Sequence, residues 1–363
     1  MKSRSKAFKQ NLITYAIVIL FYIIAQTMMA TGNMSSLMKG LMVPICYYVI
    51  LAVSLNLVVG ISGELSLGHA GFMCIGAYAS AIFAVLVDGK IPAGLELFLA
   101  ILIGAACGAL FGFLIGIPVL RLRGDYLAIV TLAFGEIIKN VVSAVYFGVD
   151  EKGLHFSMKD SISLGLSDEG VRIINGAQGI SGLPRTANFT IGIVLVLITL
   201  FIVLNLIHSR QGRAIMAIRD NRIAAESIGL SVSKYKMMAF VISAALAGVA
   251  GVLYSHNLST LQATSKNFGY NQSIMILVFV VLGGIGNIRG SMIAAVILTV
   301  LPEKLRFLSD YRMLIYAIVL IGLMLFNSSP KMIAWRKDMA AKLRRKKVGQ
   351  DTEEQDEEDG EEV

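Results

Sequence analysis

The chain has 363 residues, of which 56% are hydrophobic and only 15% charged, and its mean hydropathy is +0.73. That composition excludes an ordinary soluble domain and points to a polytopic helical membrane protein. The formal net charge of +8 sits mainly on loops, where it sets topology, and it is not read as affinity for nucleic acid.

Apolar runs of about 20 residues, each enough to cross about 30 Å of hydrocarbon, recur along the chain. In order, spans are predicted at 11–30, 38–60, 66–87, 93–118, 125–147, 188–208, 237–256, 272–288, 290–303 and 311–327. The ninth is short and ends at Pro302-Glu303, so it is either a half-helix or pairs with its neighbour, leaving nine or ten spans. The fold class is all-α, a transmembrane bundle with broken helices. Lys2, Arg4, Lys6 and Lys9 precede the first span in the manner of a signal peptide. Its long apolar stretch and the lack of a small-x-small cleavage site predict a retained helix instead.

Lys and Arg assign the sides. With residues 1–10 inside, the inner segments also take Arg121 and Arg123, the 208–236 loop, Arg289 and the basic run 331–347, which together hold most of the 32 cations. Both termini are then cytoplasmic, and the longest outer loop is 148–187. The domains expected are a basic N-terminus (1–10), a transmembrane region (11–330) and a cytoplasmic tail (331–363). Nine of the last 13 residues are acidic. The tail reads as a solvated stretch beside cations that meet anionic lipid, or as a regulatory or partner contact.

The joint Ser54–Ala81, SLNLVVGISGELSLGHAGFMCIGAYASA, stands out. Asn56, Glu64 and His69 are interleaved with Gly60, Gly63, Gly68, Gly71 and Gly76. Lipid offers no water for irregular backbone or lone charge, so such a segment survives only inside protein or beside a wet cavity. The glycines serve either close helix crossing or a broken helix near a path or subunit interface. Backbone amides at a half-helix N-terminus there are a candidate for meeting a carboxylate. In the 125–147 span, Glu136 and Lys139 lie three apart on one helix face and are placed to pair. Alternatively Lys139 reaches outward along its stem and Glu136 finds another partner in the bundle.

The segment Ser209–Lys236 alternates apolar Ile215, Ile218, Ile223 and Ile228 with polar Arg213, Arg219, Asp220, Arg222 and Glu226. Asp220-Asn221 can break or cap a helix and Gly229 can close a second piece. One or two short amphipathic helices are expected at the inner surface, either held by lipid or docked to a cytosolic partner. No phosphate loop, HExxH, GxSxG or CxxC pattern occurs. His69, His155, His208 and His256 are scattered, and Cys46, Cys74 and Cys107 fall in apolar segments. No catalytic or metal residue is assigned, and no cofactor is expected in this chain. ATP, if it drives the protein, must be bound by another subunit.

Four stretches carry a family resemblance: 54–81, RLRGDYLAIVTLAFGEII (121–138), GRAIMAIRDNRIAAESIGL (212–230) and GGIGNIRG (283–290). They resemble the second of the two homologous permeases of branched-chain amino acid ABC transporters, with urea and short-amide permeases as related alternatives. The resemblance implies a heterodimer with the other permease, two cytosolic ATPase subunits and an external binding protein that delivers substrate at a bacterial cell membrane. It also implies a coupling helix of the form EAA-x3-G. Ala224, Ala225 and Gly229 fit that form, Ile223 stands where the Glu would be, and Arg213, Arg219 and Asp220 are placed for rim contacts. The candidate path or broken-helix residues are Asn56, Gly63, Glu64, Gly68, His69, Gly71 and Glu136. A stand-alone secondary transporter, the reading from another class, calls for a complete internal repeat, and none is visible.

Overall fold

The structure is a computed structural model. It describes residues 2–305 except 88, 123, 151–152, 160–162 and 167–169, with the backbone alone over 2–10, and six helical positions between 314 and 322. The long helices are α1 (Lys2–Ala30), α2 (Ser36–Asn56), α3 (His69–Val87), α4 (Ala93–Val119), α5 (Asp125–Ala144), α6 (Phe189–His208) and α9 (Val232–Ser255). Between α6 and α9 lie the short α7 (Arg210–Asp220) and α8 (Arg222–Ser227); after α9 come α10 (Ser265–Phe268), α11 (Tyr270–Gly283) and α12 (Ile288–Lys304).

Among the described residues, seven helices are long and apolar enough to cross a membrane, and they coincide with the first seven predicted spans. Two of those predicted next are shorter. Helix α11 has 14 residues and α12 has 17, so α11 rises only about 21 Å, less than a bilayer core. The predicted span 311–327, apart from the six positions, and the basic-then-acidic tail lie outside the described residues. Residues Met1–Val300 form one compact unit and Leu301–Val363 a second. Of the second, Leu314, Ile318 and Ile321 are exposed.

In the first unit α9 is the hub, with α2, α3 and α4 packed around it. Lipid supplies no hydrophobic drive between helices, so close backbone approach does the work. Ala244, Ala247, Ala250 and Gly251 are buried on α9. A Cβ on Gly76 of α3 would collide with Gly248, and one on Gly248 would collide with Gly104 of α4. Polar stitches add direction: Ser243 Oγ donates to the Ser54 carbonyl at 2.6 Å, and the Ser80 and Ser255 hydroxyls lie 3.0 Å apart. Gly248→Val should therefore destabilise the bundle by about 3 kcal/mol or more. It would be read as a lowered melting temperature in detergent, and an unchanged melting temperature would contradict this packing.

The 148–187 region holds strands that an all-α reading did not anticipate. The chain leaves α5 into β1 (Tyr146–Asp150), which pairs antiparallel with β2 (Gly153–Ser157) and with β3 (Val171–Asn175). Strand β4 (Ile180–Ser181) pairs with β5 (Thr260–Leu261), tying this region to the end of α9. His155 Nε2 lies 3.0 Å from Asp150 Oδ1 across the β1–β2 hairpin.

Candidate functional site

The joint read from the sequence is a broken helix. Helix α2 ends at Asn56, one wide π-helical turn runs Leu57–Ser62, and Gly63 closes it with φ +74°, a left-handed conformation that favours glycine. Residues 63–68 are irregular, and α3 begins at His69. Such a break leaves helix-end groups without intrahelical partners, and neighbouring elements supply them. Leu67 N donates to Thr131 Oγ1 of α5 at 3.0 Å and Ala70 N to Ser273 Oγ of α11 at 3.1 Å. The α3 N-terminus is thus occupied in part by a side chain of this protein.

Asn56 is fully buried and bridges the break to the GGIGNIRG stretch. Its Nδ2 donates to Ser291 Oγ at 2.8 Å and its Oδ1 accepts from Gly286 N at 2.8 Å. Buried His69 places Nε2 2.8 Å from Ser54 Oγ. Glu64 pairs with Lys236 at the start of α9, and both side chains are largely shielded. Gly68 packs on the Thr131 carbonyl, and a Cβ on Gly71 would lie 2.8 Å from Gly135 Cα. Both uses expected of the glycines, helix breaking and close crossing, occur within one joint.

Removing one partner of a shielded ion pair strands the other. Glu64→Gln should accordingly cost about 3 kcal/mol, and Glu64→Gln with Lys236→Gln should recover part of it. Thermal unfolding in detergent checks the pair; equal stability of the single variant and the parent would remove the pair from the structure's support.

Helices α7 and α8 sit beside the break. Ser209 caps α7 by accepting from Gly212 N at 3.0 Å. Asn221 ends α7 and caps α8, its Oδ1 accepting from Ala224 N at 3.0 Å. Gly229 follows with φ +84°. Ile215 and Ile218 are buried, whereas Ile223 and Ile228 are 80% and 76% exposed, so the apolar side expected to run on through all four stops at Asn221. Ala225 is buried against Ile218 and Val232, which leaves Ala224, Ile223 and Ile228 on the outer surface.

The arginines divide. Arg213 is exposed and donates to the His208 carbonyl at 3.1 Å. Arg219 turns to the break: Nη1 donates to the Gly60 carbonyl at 2.8 Å, while Nε and Nη2 reach Asp220 Oδ1 at 3.0 and 2.8 Å. Its Cγ would lie 2.6 Å from a Cβ on Gly63. A continuous chain of contacts therefore runs from α7 through Arg219 and the π-helical turn to Asn56, and on to Gly286 and Ser291 at the start of α12.

Glu136 and Lys139 pair at 2.6 Å, as their spacing suggested, and Lys139 also donates to Ser265 Oγ at 2.9 Å. Glu136 Oε1 accepts from Tyr270 N at 2.7 Å, capping α11 where the helix dipole favours an anion. The pair thereby ties α5 to α10 and α11. Ser291, Gly286, Thr131, Ser273, Lys236 and Ser265 complete these links and were not singled out from sequence. The quoted stretches GGIGNIRG, RLRGDYLAIVTLAFGEII and Ser209–Lys236 contain Gly286, Thr131 and Lys236, and no pattern signalled Ser265, Ser273 or Ser291.

A helical membrane bundle whose broken helix is lashed to a surface pair of amphipathic helices has the build of a transport protein. Residues 37–326 match the family described as branched-chain amino acid transport system / permease component, and the chain belongs to that family. It is a multi-pass inner-membrane protein of the permease type. It is 36% identical over 291 residues to the high-affinity branched-chain amino acid transport system permease protein LivM of Salmonella typhimurium, covering 77% of this chain and 66% of that protein. The chain thus spans just under two-thirds of that relative's length. It is 27% identical over 257 residues to the permease protein LivH of Escherichia coli, with 69% and 79% covered. It is 26% identical over 313 residues to the fructose import permease protein FruG of Bifidobacterium longum, with 83% and 86% covered. No solved structure matches the chain.

Proposed function

We propose that this chain is the membrane-spanning permease subunit of an ABC importer that carries branched-chain amino acids. It pairs with a homologous second permease, is driven by two cytosolic ATPase subunits and receives substrate from an external binding protein. The α7–α8 segment faces the cytoplasm, in keeping with the Lys and Arg distribution, and docks on the ATPase through the outer face of α8.

The observation that carries this reading is the contact chain from α7 to the broken helix. Exposed Ile223, Ile228 and Ala224 offer α8 an apolar surface, and Arg219 links the adjoining helix to the Gly60 carbonyl. A displacement delivered to α8 by a nucleotide-driven partner reaches the π-helical turn without passing through a flexible linker. The likeness to LivM and LivH, both named as permeases of a branched-chain amino acid system, supports the permease pair and the substrate class. The likeness to FruG keeps a sugar as the competing solute, at lower identity.

Co-purification from native membrane with identification of the subunits tests the reading. A second permease and two ATPases should accompany the chain in stoichiometric amounts. Recovery of the intact chain alone from membranes in which it is functional would refute it.

A further inference from the structure

Two cavities follow one seam between α1, α6 and α12. The first, of about 230 Å³, is lined by aliphatic, aromatic and sulfur-bearing side chains, among them Val18, Phe21, Cys46, Val196, Met292 and Val296. Ile293 and Ile297 on its rim are 44% and 50% exposed, so the slot is open on a side that the bilayer covers. The second, of about 290 Å³, lies along the same faces toward the inner ends of these helices, where Thr14 comes one turn before Val18 and Arg289 one turn before Met292. Its lining is polar, with Asn11, Thr14, His208, Asn287 and Arg289. Arg289 is half-buried and held in place, its Nε donating to Oγ1 of buried Thr14 at 2.7 Å. Among the described residues no carboxylate lines either cavity. The same end of α1 carries Lys2, Arg4, Lys6 and Lys9 in its sequence.

An apolar slot with a cationic mouth is complementary to an amphiphile with an anionic head. Left empty, the slot would strip its lining atoms of dispersion partners, and water inside it would find nothing to hydrogen-bond. Bilayer hydrocarbon meets neither objection. We propose that the seam holds an anionic phospholipid of the inner leaflet, with its phosphate at Arg289 and one acyl chain in the slot. The guanidinium fork matches phosphate geometry, and a basic pocket between spans on the cytoplasmic side gathers anionic headgroups. The lipid wedges α1 against α12 beside Gly286, whose amide holds Asn56 of the broken helix. The inference rests on the reading of α7–α8 as cytoplasmic.

The test uses the assembled importer in phosphatidylcholine vesicles containing a trace of phosphatidylglycerol with a photoreactive acyl chain. Parallel vesicles carry the same chain on phosphatidylcholine. After illumination, peptide mass spectrometry should find adducts on Val196, Ile293 or Val296, about fivefold more of them from phosphatidylglycerol. Arg289→Gln should keep the adducts and lose the preference, and Arg289→Lys should keep most of it. Thr14→Val removes the neutral partner of Arg289 and leaves the cation, so it should keep the preference too. Equal yields from the two lipids in the parent overturn the proposal. So does the absence of adducts on these residues, the result expected if the second permease or the predicted span 311–327 covers the slot. If Arg289→Gln fails to assemble, the ratio of the two lipids in the parent decides. A complex that retains its ATPases but shows no adduct defeats the lipid site alone. A preference seen only with phosphatidylglycerol confined to the outer leaflet defeats the cytoplasmic reading instead.

Discussion

Arg219→Ala is expected to uncouple the importer while leaving it assembled. The guanidinium holds the Gly60 carbonyl and Asp220 together, and truncation leaves the carbonyl of a buried, broken helix without its donor. A hydrogen bond from a charged group contributes about 1.5–3 kcal/mol, so transport relying on that link should fall about 10- to 100-fold. Hydrolysis by the ATPases should continue at its basal level and lose its response to loaded binding protein. Arg219→Lys should recover little, because an ammonium lacks the planar fork that reaches both acceptors at once. Paired measurements of uptake and stimulated ATP hydrolysis check this. Wild-type coupling in Arg219→Ala would mean that force enters the bundle elsewhere.

Gly229→Asp should give an equally large loss through a different step. Gly229 has φ +84°, and a Cβ there would meet nothing within 4 Å. Crowding inside this chain is therefore not the cause of damage. Left-handed backbone costs most residues about 1–2 kcal/mol but is better tolerated by aspartate and asparagine, so the main harm is the charge that aspartate adds beside the apolar outer face of α8. The complex should lose its ATPases on purification, and uptake should fall in parallel, while the subunit still inserts because insertion depends on the spans. Gly229→Asn separates the two causes. Asparagine tolerates the left-handed region and carries no charge, so it should keep most of the activity. Assembly and uptake at parent levels in Gly229→Asp would make α7–α8 an ordinary surface pair.

What the sequence made legible follows the range of each interaction. Seven spans were readable because hydropathy over a window depends on the local chain alone. The Glu136–Lys139 pair was readable because i,i+3 neighbours share a helix face. The broken joint was readable from its glycines and polar residues, and so was the break at Asn221. The partners that hold the joint were not. Arg219 meets Gly60 and Lys236 meets Glu64 across well over a hundred residues, and no local pattern encodes such pairings. Ile223 and Ile228 looked like a continuation of the buried Ile215–Ile218 side. Asn221 resets the helical phase, so periodicity cannot be carried from α7 into α8. The strands of 146–175 escaped notice because each has five residues and β1 must reach β3 across an intervening hairpin.

The central claim is that this chain moves solute only as part of an ATP-driven assembly. Leucine uptake into proteoliposomes, measured with the chain alone and with both permeases, the ATPases and the binding protein, tests it most directly. Accumulation should require every subunit and ATP, should stop with a non-hydrolysable analogue, and should be indifferent to an imposed proton or sodium gradient. Accumulation by the chain alone on such a gradient would contradict the claim and make the protein a secondary transporter.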